Sequence, residues 1–157
     1  MQVTRAVVER EYEWTRARAA TVVPVANEVR RRLGDVFDVD VGDVTVNQYE
    51  AAIDEAYADG DRAVNLATMT ALLRDLDVEE DYPGFVVDEI LGREIAAMIA
   101  GEQPLRMLAE ATFHFADVHT HVDGPAGLDD LDAALAAGVQ TRLPGWDWTE
   151  TDPFSVR

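Results

Sequence analysis

The chain has 157 residues, 48% of them apolar, with 31 acidic residues against 13 arginines and no lysine or cysteine. This size and apolar content fit one compact domain, and the missing residue types exclude disulfides, thiolate chemistry and lysine Schiff bases. The formal net charge of −18 disfavours electrostatic binding to nucleic acid.

Basic charge is concentrated at the start of the chain. Residues 1–33 hold seven arginines and four glutamates, a net charge of +3, whereas residues 34–157 carry a net charge of −21. Because arginine can bind a carboxylate through two hydrogen bonds, this segment suggests an interface with its own domain or with another subunit. The alternative is a solvated helix with internal pairs such as Glu28 with Arg32. The arginines expected at the interface are Arg5, Arg16, Arg30, Arg31 and Arg32.

The first helical segment is predicted to begin after Thr4, whose side chain can cap it, and to end at Gly34. Pro24 predicts a kink or a break inside this segment. Valines then alternate around Gly42-Asp43 near residues 37–46, which predicts either a small hairpin or an irregular loop.

A helix over residues 46–59 is predicted from the capping-box spacing of Thr45 and Gln48. Gly60 is expected to end it, and Asp61 is expected to cap the next helix, which has an apolar stripe for the core.

The short link between these two helices is compatible with a helix-turn-helix regulator. The second helix, however, offers only Arg62 and Arg74 toward phosphates and carries acids itself. Regulation through nucleic acid is therefore the least supported of three functional hypotheses.

Three more helices are predicted, ending at Gly101, near Val122 and at Gly138. The second of them follows Pro104, and Leu105 and Phe113 lie off its apolar stripe, so this helix is central or sits at an interface. The stripe itself consists of Leu108, Ala111, Phe115, Val118 and Val122.

The same helix carries a polar stripe, and all three histidines of the chain fall within eight residues there. Carboxylate and imidazole groups at this spacing are weak candidate ligands for zinc, manganese or iron, but they match neither HExxH nor the Glu-x-x-His pair of di-iron bundles. An ordinary polar flank is the favoured interpretation, and no cofactor is expected. The residues of the stripe are Glu110, His114, Asp117 and His121.

Residues 139–157 lack a helical period and contain two prolines and three large aromatic residues: Trp146, Trp148 and Phe154. A free tail rarely carries three such side chains, so this segment is expected to be an extended arm that packs on its own domain or on a neighbour.

These observations predict an all-α protein, a compact bundle of five to seven helices over residues 1–138 with the arm at 139–157. The abundance of carboxylates without lysine resembles the composition of proteins from salt-accumulating archaea; it is a resemblance of composition and not of family. No apolar run is long enough to span a bilayer, and no basic-hydrophobic leader begins the chain, so a cytoplasmic, unprocessed protein is expected.

With no lysine or cysteine and with Ser155 as the only serine, the chemistry that remains is carboxylate acid-base chemistry or a metal held by histidines and carboxylates. The favoured function is a non-catalytic structural or interaction subunit, with the arginine-rich first helix and the aromatic arm as its contacts. Protein partners are expected, in a homo-oligomer or a multi-protein assembly. A virion component, such as the head-tail connector of a haloarchaeal tailed virus, is one specific form of this hypothesis. The alternative is a helical metal-binding enzyme that uses His114 and His121.

Folding should depend on salt. Between about 0.1 and 3 M KCl the Debye length falls from about 10 Å to below about 3 Å, which screens the repulsion among the carboxylates. The thermal unfolding midpoint should therefore rise across this range, and a flat midpoint would contradict the halophilic interpretation.

The histidines should not be essential metal ligands. Purified protein should contain essentially no metal, and His114→Ala combined with His121→Ala should leave the metal content unchanged. Elemental analysis of both proteins measures this, and stoichiometric metal that disappears in the double variant would favour the enzyme hypothesis.

Overall fold

The structure, a computed structural model, describes residues 2–75, 87–120 and 128–143. Within these ranges the chain forms seven α-helices and no strand, so the predicted all-α fold is confirmed. A π-helical turn, Val87–Gly92, leads directly into the fifth helix. None of the described helices has both the length and the apolar composition needed to cross a bilayer. The helices are α1 Arg5–Ala17, α2 Ala19–Phe37, α3 Val46–Ala56, α4 Gly60–Asp75, α5 Arg93–Ala100, α6 Leu105–Thr120 and α7 Leu128–Arg142.

The last helix, α7, is the centre of the bundle. It packs mainly against α6, α5 and α2, and it also contacts α3 and α4. Every residue from Asp130 to Thr141 is buried. Such a helix can be surrounded only if its side chains are small enough for its neighbours to approach closely. The side chains that meet this requirement are Ala133, Ala134, Ala136 and Ala137, all fully buried.

Gly138 lies inside α7 and does not end it. A Cβ atom at this position would lie 2.8 Å from the Ala96 carbonyl oxygen and 2.8 Å from Ile99 Cβ. The glycine therefore serves the close contact between α5 and α7, and the helix continues to Arg142. Residues 139–142 are helical where an extended arm was expected. The rest of that predicted arm, residues 144–157, lies outside the described ranges.

The N-terminal segment is broken at Arg18 and not at Pro24. As predicted, the Thr4 hydroxyl accepts a hydrogen bond from the Val7 amide at 3.3 Å and caps α1. Pro24 lies within α2, where it removes a hydrogen bond to the carbonyl of Ala20, a residue on the exposed side of the helix. A single lost bond at an exposed position does not end a helix whose other face is fully packed.

Helix α2 also continues past Gly34 and ends at Phe37, with Asp38 in the left-handed conformation at φ 54°. The closeness of the next loop explains the glycine, because a Cβ on Gly34 would lie 2.7 Å from the Val39 carbonyl oxygen. The glycine permits this close approach of the loop to the helix.

The hairpin near residues 37–46 is not formed, and residues 39–45 are an irregular loop. Side chains of α2 form hydrogen bonds with the backbone groups of this loop that would pair with each other in a hairpin. Asn27 accepts a hydrogen bond from the Val44 amide at 2.6 Å and donates one to the Val44 carbonyl at 3.1 Å, and Arg30 donates to the Gly42 carbonyl at 2.8 Å. These bonds hold the loop against α2, which satisfies its backbone without strand pairing.

The predicted capping box of α3 is confirmed, with reciprocal bonds between Thr45 and Gln48. The next helix is capped by a different residue from the one predicted: Asp59 accepts a hydrogen bond from the Arg62 amide at 2.9 Å. Asp61 lies inside the first turn of α4, where its negative charge interacts favourably with the positive end of the helix dipole.

Arginine side chains satisfy backbone carbonyls at the ends of helices. Arg62 donates to the carbonyls of Glu55 and Ala56 at 3.0 Å each, at the end of α3. Arg142 donates to the carbonyls of Ile99 and Ala100 at 3.0 and 3.4 Å, at the end of α5. The last carbonyls of a helix lack intrahelical partners and carry partial negative charge. Each guanidinium therefore stabilises the C-terminal end of the helix that it contacts.

Replacing Gly138 by alanine should destabilise the fold. Alanine favours a helix by about 1 kcal/mol over glycine, but the new methyl group would push α5 and α7 apart, and overpacking costs about 1–3 kcal/mol. Chemical denaturation should show a net loss of up to about 2 kcal/mol for Gly138→Ala.

Gly60→Ala is the matched control, because a Cβ at Gly60 meets no atom within 4 Å. This variant should be neutral or slightly stabilised. Equal effects of the two substitutions would show that the α5–α7 contact does not constrain residue 138.

Candidate protein interface

Helix α6 is buried on one side only. Its buried side contains Ala109, Thr112, Phe113 and Ala116. Thr112 accepts a hydrogen bond from Gln140 of α7 at 3.4 Å. The Phe113 ring packs against Gly92 so closely that a Cβ atom on Gly92 would lie 2.5 Å from the ring. This side therefore packs on α7 and on the turn that precedes α5.

The opposite side of α6 is exposed and largely apolar. Met107 is 65% exposed, Phe115 41% and Val118 75%. Successive residues of a helix are rotated by about 100°, so Met107, Ala111, His114, Phe115 and Val118 lie within one sector, opposite the buried side. All five are exposed. We call these five residues the α6 face; it extends about 16 Å along the helix axis.

No charged residue lies within the α6 face, although the chain has a net charge of −18. The nearest acids on the helix are Glu110 and Asp117, which flank the face on one side and are half-buried. Contiguous exposed apolar surface with a polar rim is typical of protein-protein contact sites. The α6 face is therefore the best candidate for an interface in the described part of the chain.

The apolar stripe that the sequence shows on α6 is not the side that packs on the bundle. In this stripe Ala111, Phe115 and Val118 are exposed and Leu108 is half-buried. The buried side of α6 has smaller residues than its exposed side, because α7, the helix on which it packs, is rich in alanine and lies close. Its one large side chain, Phe113, fits only because the adjacent residue 92 is glycine. An off-stripe phenylalanine was the only sequence signal of this arrangement, and Met107 was not singled out.

Most arginines of the predicted N-terminal interface pair with acids of the same chain. Arg5 pairs with Glu9 at 2.9 Å, as one helical turn allows. Glu28 binds both Arg31, at 2.6 Å, and Arg32, at 2.9 Å. These exposed pairs are worth about 0–1 kcal/mol each and leave the arginines accessible to solvent.

Arg16 joins α1 to α3. Its guanidinium lies 3.2 Å from a Glu50 carboxylate oxygen and 2.9 Å from Asp54 Oδ1, and the Tyr12 hydroxyl donates to the same Asp54 oxygen at 2.7 Å. The hydrogen bonds from Tyr12 and Arg16 hold the pKa of the Asp54 carboxyl below its ordinary value. The Asp54 contact in turn raises the pKa of Tyr12. This cluster is a contact within the domain.

Arg30 is only 1% exposed and therefore cannot belong to a surface interface. Its guanidinium donates to the Gly42 carbonyl at 2.8 Å and to the Gln140 carbonyl of α7 at 2.7 Å. Burial lowers the pKa of this guanidinium, and the charge of Asp43 partly opposes that shift. Arg30 thus joins α2 to the Gly42 loop and to α7 within its own domain.

The remaining predicted site residues are only partly described. Trp146, Trp148, Phe154 and His121 lie outside the described ranges. His114 is exposed on α6, with its ring 5.8 Å from that of Phe113. Among the described residues, no three histidine, aspartate or glutamate side chains come together as a metal site.

The two arginines considered for a helix-turn-helix contact are both engaged within the chain. Arg62 binds the end of α3, as described above. Arg74 contacts Glu11 at 2.7 Å and lies 4.3 Å from the centre of the Trp14 ring. Glu11 is itself 1% exposed, so its carboxylate depends on this partner and on Arg10, at 2.8 Å.

Comparisons with other proteins identify a family but no relative of known activity. Searches of curated proteins and of solved structures gave no significant match. One family model matches residues 1–157, and its description is "Domain of unknown function (DUF7984)". Because the match covers the whole chain, the protein belongs to the family described as domain of unknown function DUF7984.

Proposed function

We propose that the protein is a non-catalytic structural or interaction subunit of a larger homo-oligomeric or multi-protein assembly in an extreme halophile. The α6 face is its docking surface. A virion component, such as a head-tail connector of a haloarchaeal tailed virus, is the specific form that we propose for this subunit. Its place is then the cytoplasm of the host cell or the virion.

The exposure of the α6 face carries this proposal. Surface carboxylates keep a protein of net charge −18 dispersed, yet one helical face of five residues has no charge. High salt increases the cost of leaving apolar surface in water and removes the repulsion between acidic subunits. Such a face therefore promotes assembly under the conditions for which the composition is suited.

The alternatives have less support from the described residues. A metal-binding enzyme would need His114 and His121 to act together, and His114 belongs to the exposed apolar face, with no metal-binding cluster among the described side chains. A helix-turn-helix regulator would need Arg62 and Arg74 to contact phosphates, whereas both make intramolecular contacts.

Charges placed on the α6 face should abolish assembly without loss of the fold. Met107→Glu with Val118→Arg leaves the net charge unchanged and places each charge at the helix end that favours it. Burial of the two side chains is worth about 1.5–3 kcal/mol each, so assembly should weaken by about 100-fold or more. Sedimentation equilibrium in 3 M KCl measures the effect.

The matched control is Val64→Glu with Leu72→Arg, which makes the same changes at two exposed apolar positions of α4. The control should assemble like the wild-type protein, and all three proteins should have similar unfolding midpoints. A monomeric wild-type protein at every KCl concentration, or normal assembly of the α6 variant, would overturn the proposed function.

A further inference from the structure

A small cavity lies between α1 and the end of α3. Its volume is about 190 Å³, and its walls are formed by Val8, Glu9, Tyr12, Asp54 and Tyr57. Glu9 and Asp54 are exposed to solvent, whereas the other three residues are half-buried. Sites for drug-sized ligands have volumes of about 300–1,000 Å³, so this cavity can hold only a small molecule or a single head group.

Two tyrosine rings form the apolar part of the cavity. The ring centres of Tyr12 and Tyr57 lie 5.4 Å apart, and their planes are inclined by 57°. The Tyr12 hydroxyl is held by Asp54 Oδ1 at 2.7 Å, and the Tyr57 hydroxyl is buried in the protein, so both rings are fixed. The face of an aromatic ring carries partial negative charge. Two fixed rings at an angle therefore attract a cation that lies against them.

Two carboxylates line the same cavity at its exposed side. Glu9 accepts a hydrogen bond from Arg5 through Oε1, and Asp54 accepts those from Tyr12 and Arg16 through Oδ1. The other oxygen of each carboxylate is not used in these bonds, so it can accept from a ligand. The net charge of −18 also raises the concentration of cations around the protein. The charges of the cavity thus favour a positive ligand.

We propose that this cavity binds an organic ammonium ion, of which tetramethylammonium is the simplest form. The methyl groups of such an ion pack on Val8 and on the two rings, and its charge faces the rings and the carboxylates. A potassium ion would have to lose water against these apolar walls, which is costly for a strongly hydrated charge. The ammonium group can belong to a free solute or to a methylated lysine of another protein. The site contains no residue of the α6 face and does not depend on the proposed function.

An NMR titration in 3 M KCl tests the proposal, with tetramethylammonium chloride as the probe. The amide signals of Tyr12, Asp54 and Tyr57 should shift and reach saturation. Because potassium is in large excess, such shifts would report a preference for the organic ion. The ligand control is tert-butyl alcohol, which has a similar shape but no charge and should give no saturable shift at the same concentration.

Matched variants separate the contribution of the ring from that of the charge. Tyr12→Leu keeps apolar volume but removes the ring face, and it should weaken binding by about 2- to 30-fold, the range expected for a lost cation–π contact. Tyr12→Phe keeps the ring and loses only the hydrogen bond to Asp54, so it should bind nearly as well as the wild-type protein. Glu9→Gln should weaken binding, whereas Glu13→Gln, at an exposed position of α1 outside the cavity, should not. Unfolding midpoints show whether each variant is folded.

A peptide with one trimethyllysine distinguishes the two sources of the ammonium group. Tighter binding of this peptide than of the free ion would assign the site to a partner side chain, and equal or weaker binding would assign it to a solute.

Three results would overturn the proposal. Equal binding of tert-butyl alcohol and tetramethylammonium would show that the cavity recognises apolar shape and not charge. Undiminished binding by Tyr12→Leu would show that the ring is not used, and the absence of saturable shifts in the folded protein would exclude the site. Assembly through the α6 face is measured independently by sedimentation, so none of these results bears on the proposed function.

Discussion

Helix α7 is buried around its whole circumference from Asp130 to Thr141, and the rest of the bundle is arranged to make this burial possible. Five other helices contact it, so its side chains must be small and its polar groups must find partners inside the protein. Alanines and Gly138 meet the first requirement. Arg30, which donates to the Gln140 carbonyl, and Arg18, which binds Asp132 at 2.6 Å, meet part of the second.

The arginines of the N-terminal segment therefore have two distinct uses. Those on the surface, such as Arg5 and Arg32, form pairs of little energetic value, whereas Arg18 and Arg30 join the segment to the central helix. A guanidinium has five donors in a fixed plane and can serve two acceptors in separate elements. Arg30 does so by bonding to the Gly42 loop and to α7 at once. The net charge of +3 over residues 1–33 thus arises partly from the interior of the protein.

The demands of α7 also explain the surface of α6. A helix that packs on an alanine-rich partner presents its small residues inward, so that Met107, Phe115 and Val118 remain outside. An apolar outer face is a liability for a monomer, because it promotes association. In an assembly it is a contact whose strength increases with salt, in the direction opposite to that of an ion-paired interface. The physical basis of the proposed docking surface is thus the same constraint that organises the core.

Local sequence determined that the fold is helical and where several helices begin and end, because caps and stop signals act within a few residues. The cap at Thr4, the box of Thr45 and Gln48, and the end of α5 at Gly101, with φ 92°, follow from short-range hydrogen bonding and backbone freedom. Only the tertiary structure decided which glycines end helices and which side of α6 is buried. Gly34 and Gly138 exist to let another segment approach, and no local signal distinguishes this from a helix end. Periodicity showed that α6 has an apolar stripe, but the small residues of α7 determined that the side of α6 opposite this stripe would pack on α7.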